Sequence, residues 1–197
     1  MTENIILLQT VSCFCTLCWY MFVPCSILKD RFSMNVLRLS LRDGSYRAQG
    51  TAVVIDVFRA FTCEPLLYHY GASGIIMEGD IEHCLTLEGE YFRVGEHNEV
   101  PIDGFDLTNS PSLIMARGEK GDISGRTVIH RTTSGVTGAL AAMERADEVL
   151  LGSFVTAGAT VDYIRRRQPD TVSIIAMGIR SEAPAPEDEA CGDYIEH

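Results

Sequence analysis

The chain has 197 residues, enough for one α/β domain with a real core. Apolar residues make up 46% of it and no long low-complexity tract occurs, which is a globular composition. A formal net charge of -11 argues against a nucleic-acid footprint, which needs clustered Lys and Arg; it fits a solubilising surface or carboxylates that hold a divalent cation.

In chain order, residues 1–33 stand apart. Residues 5–28 carry no Asp, Glu, Lys or Arg, a run of 24 that a bilayer-spanning helix could use, with Lys29 and Arg31 after it. Gln9, Thr10, Ser12, Thr16 and Pro24 dilute it, and Met34 opens an ordinary soluble start. We expect residues 34–197 to form the α/β domain. Residues 1–33 are expected to be an extension, either a membrane anchor or the product of a start assigned too far upstream, and the second is favoured. Four of the seven cysteines lie in that extension, and Cys63, Cys84 and Cys191 are scattered singly. No C-x-x-C pair joins a second pair, so the cysteines read as reduced core residues of a cytoplasmic protein.

From residue 51 onward, strand-like and helix-like runs alternate. Strands are predicted at 51–57, 74–77, 91–95, 127–131, 148–152 and 171–177. Helices are predicted at 65–70, 81–87 with Asp80 as cap, 112–117, 136–145 and 157–167, and another begins at 187. Ser110 is placed to cap the helix that follows Pro111, because proline fits the first helical turn. This β-α order predicts an α/β fold with three α/β/α layers and a mainly parallel sheet. The chain stops at His197 inside a helix-like run, so a truncated C-terminus is expected.

In an open parallel sheet, ligands bind beyond the carboxyl ends of the strands. The residues there are Asp56 and Arg59, then Glu96, then the run Thr132, Thr133, Ser134 and Gly135, then Gly178, Arg180, Glu187 and Asp188. Asp56 ends a strand so apolar that its charge needs a partner. It reads equally as a metal ligand or base beside an anion-gripping Arg59, or as half of a structural Asp–Arg pair. The Thr132–Gly135 run leads into a helix, where N–H groups and the dipole favour a phosphate; ordinary capping is the competing reading. Glu96, Asp106, Glu187 and Asp188 are hard-oxygen candidates for Mg²⁺, an ion that takes only one or two carboxylates. His69, His83 and His97 lack zinc spacing. No D-x-D nucleophile pattern occurs, and the C-x5-R match at Cys25 to Arg31 has no glycine to open a phosphate cradle. Metal-assisted attack by water is what remains for phosphoryl transfer.

Four segments, 53–62, 104–112, 131–136 and 184–188, together with Gly95-Glu96, 151–159 and the 185–192 run, resemble the 2-phosphosulfolactate phosphatase family from about Met34 to the end. The resemblance implies a Mg²⁺-dependent hydrolase of α/β/α architecture acting on 2-phospho-3-sulfolactate, a step toward coenzyme M, or on a related 2-hydroxy-acid phosphate. On the enzyme reading, residue chemistry and placement give catalytic roles to Asp56, Arg59, Glu96 and Asp106. Arg131, Thr132, Thr133, Ser134, Gly135, Asn109 and Ser110 would bind substrate, and Asp56, Glu187 and Asp188 would hold the metal. The expected partner is a small anionic phosphomonoester, with no nucleic acid, a membrane only if residues 1–33 are an anchor, and self-association left open. The alternative is a catalytically inactive domain that keeps the small-anion site.

Overall fold

The computed structural model describes residues 34–197; the expectation for residues 1–33 lies outside the described residues. Strand β1 (Asn35–Ser40) turns directly into the short helix α1 (Leu41–Ser45). Strand β2 (Thr51–Ile55) leads through α2 (Ala60–His69) to β3 (Gly74–Met77). Helix α3 (Ile81–Thr86) precedes an antiparallel hairpin of β4 (Tyr91–His97) and β5 (Val100–Pro101). Then follow α4 (Pro111–Gly118), β6 (Thr127–Arg131), α5 (Gly135–Met143), β7 (Glu148–Gly152), α6 (Ala157–Arg167), β8 (Thr171–Ala176) and α7 (Pro186–Glu196).

The strands form two four-stranded sheets rather than one. The first has the order β1-β8-β2-β7 and is parallel throughout; the second has the order β3-β6-β4-β5 and is parallel except at β5. Alternation along β2 explains the layers. Ala52 and Val54 pack with Val136 and Ala139 of α5 on one face. Val53 and Ile55 pack with Ala157 and Ile164 of α6 and with Cys191 and Ile195 of α7 on the other. All five β2 side chains are buried, as a strand covered on both faces requires. In the second sheet, Ile75, Phe92, Val94 and Val128 pack against Leu67 of α2 and Ile114 of α4. Among the described residues, no helix is long and apolar enough to cross a membrane.

Local chemistry sets several boundaries. Asp80 caps α3, accepting the His83 N–H at 2.8 Å. Ser110 occupies the N-cap position of α4 with Pro111 at the first turn, but its hydroxyl faces that of Ser112 at 3.2 Å and caps nothing. Helix α2 starts at Ala60, well before the predicted 65, because Pro65 sits inside it. Proline has no N–H, so the Phe61 carbonyl loses its helical donor. The Ser153 hydroxyl replaces that donor at 2.8 Å.

The chain enters the second sheet after β2, through α2, and returns to the first after β6, through α5. Both crossings leave the carboxyl ends of their strands. The segments at those exits, 56–59 and 132–135, are therefore brought together where the chain switches sheets.

Candidate active site

A polar pocket of about 100 Å³ opens at that switch. It is far smaller than the ~300–1,000 Å³ of pockets for drug-sized ligands, and suits a small anion. The ends of β2, β4, β6 and β8 supply Asp56, Glu96, Thr132 and Gly178 to its wall, and the start of α7 supplies Glu187 and Asp188. A larger cavity of about 460 Å³ beside α2 and α6 is lined mainly by apolar and aromatic groups such as Phe61, Leu150 and Tyr163. It lacks the converging acids of the smaller pocket, which is therefore the candidate for chemistry.

Asp56 is 6% exposed. Its Oδ1 accepts the Ala60 N–H at 3.1 Å. Gly135 comes so close that a Cβ there would lie 2.6 Å from the Ala60 Cβ and 2.8 Å from Asp56 Oδ2. The open end of α5 thus faces this carboxylate. Burial, and after it the negative charge of Asp188, push the Asp56 carboxyl up to about 7. Asp188 is also raised, mainly by burial, although Val57 and Gly178 each donate an N–H to it at 2.8 Å. Glu187, beside it, is half-buried at the rim.

The other acids are held differently. Glu96 Oε1 accepts the Thr133 N–H at 2.7 Å, and its Oε2 accepts the Glu99 N–H and the Thr133 hydroxyl. Glu96 thereby ties the loop after β6 to the hairpin turn. Asp106 does not reach the pocket: it is exposed, and its Oδ2 accepts the Arg93 N–H at 2.8 Å. Arg131 is buried beneath the wall, where it donates to the carbonyls of Glu96 and Gly79 and to the Thr133 hydroxyl. It serves the framework in this geometry, with its guanidinium already committed. Ser110 also stands outside the pocket wall.

Within the 132–135 run, the Thr132 hydroxyl accepts the Val136 N–H at 2.9 Å, so Thr132 is the residue that caps α5. Ser134 is buried at the wall and, among the described residues, its hydroxyl meets no protein partner. Arg59 lines the pocket half-exposed and forms no ion pair among the described residues, so the Asp56–Arg59 pair considered from sequence is not made. At the mouth, Arg180 donates to Glu99 at 2.7 and 3.2 Å, joining the hairpin turn to the loop before α7. That guanidinium holds the Glu99 carboxyl below its ordinary range.

Two residues were missed from sequence. His130, in β6, is fully buried, with Nδ1 2.8 Å from Glu64 Oε1 of α2 and Nε2 3.1 Å from Asn109 Oδ1. The signal was available: a polar group within an apolar run needs a partner, as at Asp56.

Hard oxygens beside desolvated, mutually repelling carboxylates fit Mg²⁺. Among the described residues, no group of three His, Cys, Asp or Glu side chains is gathered to cage an ion. Asp56 and Asp188 fit the sparser set that Mg²⁺ uses, in which waters and substrate oxygens complete the shell.

Fold and site together define a parallel α/β protein with a small acid-and-hydroxyl pocket at the carboxyl ends of its strands. The chain belongs to the 2-phosphosulpholactate phosphatase family, whose model matches residues 38–197. It is 36% identical over 151 residues to a probable 2-phosphosulfolactate phosphatase of Caldicellulosiruptor saccharolyticus, covering 73% of this chain and 60% of that one. A protein of the same name from Caldanaerobacter subterraneus is 36% identical over 129 residues, 63% of this chain and 52% of that one. Another, from Bacillus subtilis, is 30% identical over 148 residues, 73% and 61% respectively. The chain thus spans between half and two thirds of the length of these relatives.

Proposed function

We propose that the protein is a Mg²⁺-dependent phosphatase that hydrolyses 2-phospho-3-sulfolactate, or a related 2-hydroxy-acid phosphomonoester, to the hydroxy acid and phosphate. The observation that carries this reading is the buried Asp56–Asp188 pair facing the open end of α5 across a pocket sized for a phosphate. Asp56 and Asp188, with Glu187 at the rim, would hold the ion. When bound, Mg²⁺ supplies charge neutralisation at the phosphoryl oxygens and a more acidic water. Arg59, whose guanidinium has no partner among the described residues, grips the substrate's anionic oxygens by charge-assisted hydrogen bonds. Ser134 and the start of α5 receive the phosphoryl group. Glu96, Arg131, Thr132 and Thr133 keep that loop in shape, which is positioning rather than bond-making.

Family membership supports phosphomonoester hydrolysis; acting on 2-phospho-3-sulfolactate, the enzyme would serve a route to coenzyme M. Cys63, Cys84 and Cys191, buried and unpaired among the described residues, support a reducing cytoplasm as its setting. The test is phosphate release from a set of 2-hydroxy-acid phosphates, with Mg²⁺ and with chelator. Release that needs Mg²⁺ is expected. Anion binding without release would favour the inactive-domain reading.

A further inference from the structure

Three buried polar side chains form a line that ends at the pocket, and only the last of them, Asn109, is among the substrate contacts expected from sequence. Glu64, midway along α2, is 3% exposed and faces His130, which is fully enclosed. Its Oε1 lies 2.8 Å from His130 Nδ1. On the far side of the ring, Nε2 lies 3.1 Å from Oδ1 of Asn109. Asn109 is itself 3% exposed and lines the pocket.

With Glu64 ionised and the Asn109 oxygen facing the ring, the two neighbours determine where the ring protons lie. An ionised carboxylate only accepts, so Nδ1 carries a hydrogen; an amide oxygen only accepts, so Nε2 carries one as well. The ring is then an imidazolium matched by the Glu64 carboxylate, a pairing that buried charges require. The far end of the Asn109 amide follows from this. With Oδ1 held by the ring, its NH₂ group is the free end, and among the described residues no protein acceptor meets it. A neutral ring with a lone pair on Nε2 would attract that NH₂ group instead and turn the amide oxygen outward, against an anion.

We propose that Glu64 and His130 are positioning residues that fix Asn109 as a hydrogen-bond donor to a phosphoryl oxygen in the pocket. The inference rests on the phosphatase reading only for the identity of the substrate; the donor itself is read with inorganic phosphate.

The experiment measures phosphate binding by calorimetry with Mg²⁺ present, using the full chain, Asn109→Ala, Glu64→Gln and the double variant. Losing a donor to a charged group should weaken phosphate roughly tenfold or more in Asn109→Ala. Glu64→Gln keeps the shape and removes the charge, and should lose a similar factor. The double variant should lose no more than either alone, since Glu64 acts through Asn109. Nitrogen-15 spectra of the unaltered protein should show both His130 nitrogens protonated, which stays readable even if Glu64→Gln fails to fold. Additive losses, unchanged phosphate affinity in Asn109→Ala, no phosphate binding by the unaltered protein, or a neutral His130 ring would each overturn the proposal. Phosphate bound through Asn109 without any turnover would overturn the phosphatase reading and leave this one standing.

Discussion

Asp56 sits where two effects oppose each other. Burial and Asp188 favour its neutral form, while the Ala60 N–H and the open end of α5 favour its charge; the first pair wins and lifts its carboxyl from the ordinary 3.8 to about 7. Between those values the folded chain binds a proton that the unfolded chain has released. Metal-free protein should therefore lose stability as pH rises through that window. Melting curves in chelator from about pH 5 to about pH 8 should fall for the unaltered protein and flatten for Asp56→Asn. Equal slopes for the two would show that Asp56 is not the titrating group. Arg59 makes the complementary case. It has no ion-pair partner among the described residues, so Arg59→Ala should leave the melting temperature nearly unchanged while raising KM, by about 1.5–3 kcal/mol of lost charge-assisted binding. A large fall in melting temperature with unchanged KM would make it structural. Asp56 was legible in sequence because it closes an apolar strand, whereas the fate of Arg131 was not. Nothing local says that a buried guanidinium will meet the carbonyls of Glu96 and Gly79.

At the scale of elements, periodicity carried most of the information. Strands β3, β6 and β7 and helix α6 occupy the residues predicted for them, because each is a run with clear flanking turns. β1 and α1 had no separate prediction, since Arg38 interrupts the first strand and the helix lasts only five residues. The start of α2 was misplaced because Pro65 reads as a helix opener, while its missing N–H is made good from 88 residues further along the chain, a distance no local rule spans. That compensation is testable. Ser153→Ala leaves the Phe61 carbonyl buried and unpaired, and should cost about 1–3 kcal/mol in denaturant unfolding. A change within experimental error would mean that another donor takes over. The approach of α5 to Asp56 gives a second test. Gly135→Ala forces a methyl group against Ala60 and the Asp56 carboxylate, and should destabilise by about 1–3 kcal/mol and depress turnover. Normal stability and normal turnover in this variant would show that the two elements can part without consequence.

For the molecule as a whole, the strand–helix order announced a parallel α/β architecture but not its division into two sheets. Order along the chain says which strands are parallel, and tertiary packing decides which are neighbours. The division matters for the site. Each sheet contributes strand ends to one pocket, and the two crossings after β2 and β6 bring Asp56 and the Thr132–Gly135 loop face to face. The site is thus a property of the switch between sheets rather than of either sheet alone. The central claim is that this switch houses Mg²⁺-dependent phosphomonoester hydrolysis, and phosphate release from 2-phospho-3-sulfolactate by the full chain tests it most directly. The account predicts release with Mg²⁺ that stops in excess chelator, returns when Mg²⁺ is restored, and is lost in Asp188→Asn. Release at the same rate in chelator, or undiminished release by Asp188→Asn, would contradict it.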